Sequence, residues 1–108
     1  MVYIEHMLDC IDRIENYTQC DQRAFMQSTL IQDAVVRNLQ VMAESSQRLG
    51  KDIKQRQSHI AWRELSGFRN ILVHDYLGVD LQIIWSVLEL ELPRLKSALL
   101  DLRAQLSR

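Results

Sequence analysis

The sequence predicts an all-α fold, an antiparallel up-and-down bundle of four main helices with room for a short extra helix near residues 21–27. Three observations carry this. The 108 residues include only three Gly and one Pro, too few for a turn-rich β fold. Apolar residues recur at three- and four-residue steps along the chain, the period of one helix face. The final stretch repeats Leu81, Trp85, Leu88, Leu92, Leu95, Leu99, Leu102 and Leu106 at alternating steps of four and three. That is the seam of a helix packed nearly antiparallel in a bundle.

Each element has its own signal. Ile4, Met7, Leu8, Ile11 and Ile14 form the first stripe. The run "CDQRAFMQS" breaks it. Thr29 followed by Gln32 has the form of a capping box, in which the hydroxyl accepts an amide of the first turn and the Gln reaches back. Ile31, Ala34, Val35, Leu39, Met42 and Leu49 make the second stripe, with the small Ser46 filling one step. Gly50 is placed to end that helix in the left-handed conformation. "KDIKQRQSH" reads as a polar connector. Trp62, Leu65, Leu72 and Val73 define a third helix, weakened by Gly67 and stopped by Gly78. Asp80 caps the last helix, and Pro93 should bend it near Glu89. No linker divides the chain, so residues 1–108 are expected to form one domain.

Composition narrows the function. Hydrophobic residues make up 47%, and no apolar run approaches the length needed to span a bilayer. The N-terminus lacks a basic signal region, which makes the cytoplasm the expected location. Cys10 and Cys20 are too few for a disulfide framework and lie in no metal-binding cluster. His6 and Cys10 share a helix face, but two ligands do not make a site, and no metal is expected. The net charge of −1 rules out a uniformly basic nucleic-acid binder. The charge is uneven, however. Residues 1–34 hold six acids against two bases, whereas residues 51–76 hold Lys51, Lys54, Arg56, Arg63 and Arg69 against Asp52, Glu64 and Asp75. An anionic ligand should prefer the middle of the chain.

Within that middle lies "RNILVHDY", residues 69–76. On an ideal helix Arg69 and Tyr76 fall within about 20° of each other, two turns apart, and Asn70 and His74 are neighbours. Arg69 and His74 are roughly 140° apart. They meet at one phosphate only if Arg69 reaches round, the helix loosens, or a second subunit supplies the missing partner. The residue types suit phosphoryl chemistry: His moves protons near neutral pH, and a guanidinium holds phosphate oxygens bidentately. On spacing alone, capped and salt-bridged helix residues explain the segment as well. Other side chains carry two readings too. Glu44 either pairs with Arg69 or Arg63 or is an exposed carboxylate. Trp62 and Trp85 lie at core positions, although tryptophans also stack on bases. His59 is expected in solvent. Asp75 either orients His74 or is a surface acid.

"RNILVHDY" fits R-x4-H-x-Y with a polar residue after the Arg, and in this it resembles the HEPN superfamily, specifically its HepT-like toxin branch. "TLIQDAVVRNLQVMAES", "AWRELSGFRN" and "YLGVDLQIIWSVLELELPRLKSAL" extend the resemblance over nearly the whole chain. The chain departs from the branch's Gly-Glu-Ala element, carrying Ala43, Glu44 and Ser45 there, which keeps the Glu. The resemblance implies a metal-independent endoribonuclease toxin of a type VII-like toxin–antitoxin pair. Arg69 and His74 would be catalytic and Asn70 would assist, with Glu44 and Asp75 as accessories. The active unit would be a homodimer with a composite cleft, acting on RNA and leaving a 2′,3′-cyclic phosphate. No cofactor is implied for the chain itself. The partner would be a minimal nucleotidyltransferase antitoxin that uses ATP to transfer AMP to Tyr76. Two other classes stay open at this point: a non-catalytic nucleotide-binding adaptor subunit that docks the nucleotidyltransferase, and an inert helical dimer.

Overall fold

A computed structural model describes residues 1–65 and 80–107. It is all-α, as the sequence predicts. Helix α1 spans Val2–Thr18, α2 Gln22–Gln27, α3 Thr29–Gln47 and α4 Lys51–Gln55. Residues 62–65 form a further helical turn. The last helix is α5 Leu81–Ser86, a π turn Val87–Glu91, and α6 Leu92–Leu106.

The predicted stripes face inward. Ile4, Met7, Leu8, Ile11 and Ile14 of α1 are buried against Val35, Leu39 and Met42 of α3, and Trp85, Leu88, Leu92, Leu95, Leu99 and Leu102 of the last helix join the same core. Leu81 and Leu106 flank the seam as partly buried contacts. Ile31 and Ala34, at the start of α3, are only half-buried. Ser46 is fully buried and its Oγ donates to the Ala43 carbonyl at 2.6 Å, which satisfies a hydroxyl that would otherwise cost the core free energy.

Contacts between helices fix their directions. Lys96 pairs with Glu15 at 2.8 Å and Arg103 approaches Glu5 at 3.7 Å, so residue numbers rise along α6 as they fall along α1. The two helices are antiparallel. Before α3 begins, Gln22 Nε2 donates to Gln82 Oε1 and the Phe25 ring packs 5.5 Å from Trp85. Past its end, Arg56 donates to Gln105. Helix α3 therefore runs in the same direction as the last helix and opposite to α1, which fits the up-and-down order the sequence predicts. The last helix, at 1.5 Å per residue over 26 residues, is about 39 Å long and accounts for most of the 43 Å long axis of the molecule.

Four local expectations are corrected. The N-cap of α3 is Ser28 rather than Thr29: Ser28 is extended and its Oγ accepts from the Ile31 amide at 3.1 Å. Gln32 does reach back, but it donates to the carbonyls of Phe25 and Met26 at 2.9 and 3.2 Å, tying α2 to α3. Gly50 is not left-handed; with φ −69° it is the N-cap of α4, and α3 ends instead through tight bonds from Arg48 and Leu49 back to Ser45 and Ser46. The left-handed positions among the described residues are Gln19 and Cys20, with φ 48° and 58°, where α1 stops and the chain turns into α2. The connector 51–59 is not a plain coil, because α4 occupies its first half.

Pro93 perturbs the helix where the sequence places it, around Glu89, and it does so through a π turn. Its nitrogen carries no hydrogen and its ring would clash with the Glu89 carbonyl in a regular helix. The preceding turn opens into the π form, with the Leu92 amide donating to Val87, and α6 restarts with Pro93 in its first turn. The leucine seam keeps its phase through the bulge. Asp80 caps α5 as expected, accepting from the Gln82 amide at 2.8 Å.

Candidate nucleic-acid interface

The chain approaches the R-x4-H-x-Y segment through a corner built by α4 and the turns after it. Ile53 and Ile60 lean on the core, and Gln57, only 6% exposed, lies between them. Trp62 closes the corner. Its indole N–H is shared between the carbonyls of Lys54 at 3.2 Å and Gln57 at 3.1 Å. Each carbonyl also accepts a backbone amide, Lys54 from Gln57 and Gln57 from Ile60, both at 3.1 Å, so the indole uses their remaining acceptor capacity. One side chain thus fastens the corner to the helical turn 62–65 that leads into the motif. Trp62 and Trp85 are both buried, so neither offers a face for base stacking. Trp85 donates to Glu89 Oε2 at 2.9 Å.

The outer surface of this corner is basic. Arg48, Lys51, Arg56 and Arg63 are exposed and Lys54 is half-buried, while His59 points into solvent. Among the described residues none of these five cations is in an ion pair, whereas Lys96 and Arg103 are engaged by Glu15, Asp12 and Glu5. The charge pattern anticipates Lys51, Lys54, Arg56 and Arg63. It misses Arg48, which belongs to this corner because α3 ends there and turns directly into α4. The signal for α4 itself was present in the spacing of Ile53, Gln57, Ile60 and Trp62 within a mostly polar run.

Beside the corner lies an apolar groove of about 320 Å³ between α3, the turn 62–65 and the π turn, lined by Met42, Ile60, Leu65, Val87 and Leu95 with the carboxylates of Glu64 and Glu91 on it. Glu44 stands exposed on α3, between the buried Ala43 and Ser45. Arg69, Asn70, His74, Asp75 and Tyr76, the residues on which the chemistry was read, lie outside the described residues. So do Leu72, Val73, Gly67 and Gly78.

The cysteines divide. Cys20 is exposed, and Cys10 is buried on α1, where burial first, and Asp9 next, raise its thiol pKa against the opposing pull of Arg13 and Arg37. His6, its neighbour on α1, is exposed and meets the edge of Tyr3. No helix among the described residues is long and apolar enough to cross a membrane.

Comparison with known proteins agrees with the residue pattern. The family described as "Ribonuclease HepT-like" matches residues 7–102. A Thermococcus cleftensis protein named a probable ribonuclease HepT is 33% identical, over 94% of this chain and 93% of its own. A Methanocaldococcus jannaschii protein provisionally named an RNase is 35% identical, over 87% of this chain and 82% of its own. Another protein from that organism, named a gamma-glutamylcyclotransferase and provisionally an RNase, is 33% identical over 99% of this chain. The chain spans only about half of that relative, 49% of its length. No solved structure matches. With a match over residues 7–102 and the R-x4-H-x-Y segment inside it, the chain belongs to the HepT-like ribonuclease family of the HEPN superfamily.

Proposed function

We propose that the protein is the toxin of a toxin–antitoxin pair, a metal-independent endoribonuclease that is silenced by AMP transfer to Tyr76. The observation that carries this reading is the R-x4-H-x-Y spacing of Arg69, His74 and Tyr76, with Asn70 after the Arg, inside a chain matched to HepT-like ribonucleases over residues 7–102. In the proposed reaction a His74 imidazole accepts the proton of an RNA 2′-hydroxyl. The 2′-oxygen attacks the adjacent phosphorus, the bond to the 5′-oxygen breaks, and that oxygen takes up a proton as it leaves. A 2′,3′-cyclic phosphate and a 5′-hydroxyl end result. Arg69 stabilises the extra negative charge on the phosphoryl oxygens, and Asn70 orients the phosphate. Glu44 and Asp75 are accessory. Silencing follows from the same helix face. The Tyr76 oxygen attacks the α-phosphorus of ATP on a minimal nucleotidyltransferase, pyrophosphate leaves, and the new phosphodiester competes for Arg69.

The test uses the purified protein, His74→Ala and Tyr76→Phe. The wild type should cut RNA in the presence of EDTA and leave a cyclic phosphate. His74→Ala should fold and cut nothing. Tyr76→Phe should still cut, yet gain no AMP mass on incubation with the nucleotidyltransferase and ATP. A strict Mg²⁺ requirement, or equal AMP addition to the wild type and Tyr76→Phe, would overturn this reading.

A further inference from the structure

We infer that the corner formed by the end of α3, α4 and the turns up to Arg63 is a docking surface for the RNA backbone, leading the strand toward the R-x4-H-x-Y segment. The inference rests on the ribonuclease reading for its choice of polyanion. Its own support is the surface itself. Residues 48–63 carry Arg48, Lys51, Lys54, Arg56 and Arg63 against one carboxylate, Asp52. Lys51 and Lys54, three apart on α4, share a face. Arg48 and Arg56 flank them at the caps of α3 and α4. Because no described acid neutralises these cations, their field is directed at solvent.

The character of the surface selects a nucleic acid over a protein. Protein interfaces need an apolar centre inside a polar rim. The large exposed hydrophobics of the described residues are Met1, Val2, Tyr17, Leu30, Ile83, Leu90 and Leu100, none of them between 48 and 63. A phosphate backbone needs only positive charge and gains affinity by releasing counterions. With Trp62 turned inward as the indole anchor, the surface offers no Phe, Tyr or Trp to stack on bases, and its contacts should fall mainly on the phosphates. That same anchor keeps the cations in fixed relation to the turn 62–65, whose last residue precedes Arg69 by four in the sequence.

The experiment measures binding of a short mixed-sequence single-stranded RNA as a function of salt, in the His74→Ala background so that nothing is cut. Lys51→Gln/Lys54→Gln/Arg56→Gln is compared with Arg13→Gln/Arg23→Gln/Arg94→Gln, which removes the same charge from exposed positions elsewhere. Losing three phosphate contacts should weaken binding about a hundredfold at roughly 0.1 M salt and make the slope of log K against log salt shallower by about two. The control should lose far less and keep its slope. Equal losses in both variants, or no loss in the first, would overturn the inference while leaving the ribonuclease reading intact. A corner variant that binds RNA normally but escapes the antitoxin would assign the surface to an acidic protein and overturn it as well. If the chain with His74 restored cuts no RNA, the ribonuclease reading fails, yet the difference in salt slope still decides the docking surface. Absence of RNA binding in the parent chain overturns the inference outright.

Discussion

Gln19 shows how a single residue can carry cost without contributing contacts. It ends α1 in the left-handed region with φ 48°, and its amide bonds back to the Glu15 carbonyl. Glycine takes this conformation without a Cβ penalty, whereas other residues lose about 1 kcal/mol or more. Gln19→Gly should therefore stabilise the protein by about 1 kcal/mol, less the extra freedom it gives the unfolded chain, read as a higher urea midpoint at unchanged slope. Cys10 sets a pH dependence. Burial raises its thiol pKa, so the folded protein keeps a proton that the unfolded chain loses. The contribution is fully present below the unfolded value and declines as pH rises above about 8.5. Lys96, raised by its hydrogen bond to Glu15, acts in the same direction at higher pH. Between about pH 7 and about pH 9.5 the wild type should lose stability, and Cys10→Ala should lose less across that interval in urea titrations. An equal fall in both proteins would show that Cys10 is not the titrating group.

At the scale of elements, what the sequence makes legible depends on how many residues vote. The stripe of α1 and the eight-residue seam of the last helix are redundant signals, and both appear as read. Caps rest on one or two residues. Ser28 and Thr29 both carry a hydroxyl, and only the extended backbone at Ser28 decides between them. Gly50 was read by type, but α3 closes its end with backbone bonds from Arg48 and Leu49 and leaves the glycine to start α4. The basic corner was legible as a charge excess, while its frame, the Trp62 indole on two carbonyls, is a tertiary contact that no periodicity encodes. The R-x4-H-x-Y spacing is read from the sequence alone and lies outside the described residues. Trp62→Phe tests the frame. It keeps most of the buried ring and removes the shared N–H; because both carbonyls keep a backbone amide, the loss should be about 1 kcal/mol by denaturant titration. Pro93→Ala tests the π turn. Restoring the amide lets the helix bond to Glu89 regularly, and stability should rise by about 1 kcal/mol with the π turn replaced by α-helix in amide chemical shifts. A π turn that persists in the variant would assign it to packing of the seam instead of to the ring.

At the scale of the whole molecule, the charges divide the bundle. The acids of α1 engage Lys96 and Arg103, whereas the cations of the corner have no ion-pair partner among the described residues. A polyanion is therefore steered to one end of the middle segment. In the proposed reaction, what it meets there depends on how Arg69 and His74 reach a common phosphate. On an ideal helix they project roughly 140° apart, so a single subunit surrounds a phosphorus atom only if Arg69 reaches round or the helix loosens. A two-fold pair of such helices removes the difficulty, because the Arg69 of one chain and the His74 of its partner then face one cleft. Mixing separates this arrangement from a self-sufficient subunit. Arg69→Ala and His74→Ala homodimers should each be inactive. When the two are unfolded together and refolded as a mixture, half the dimers are heterodimers by random pairing, and each retains one wild-type Arg69 and one wild-type His74 on different chains. Each heterodimer keeps one of its two cross-subunit Arg69/His74 pairs, so composite cleavage predicts that RNA-cutting activity returns in the mixture to about a quarter of the wild-type rate and rises with the heterodimer fraction measured by native mass spectrometry. A mixture as inert as its parents would place both groups in the same chain, and a wild-type monomer with full activity would remove the need for a second subunit.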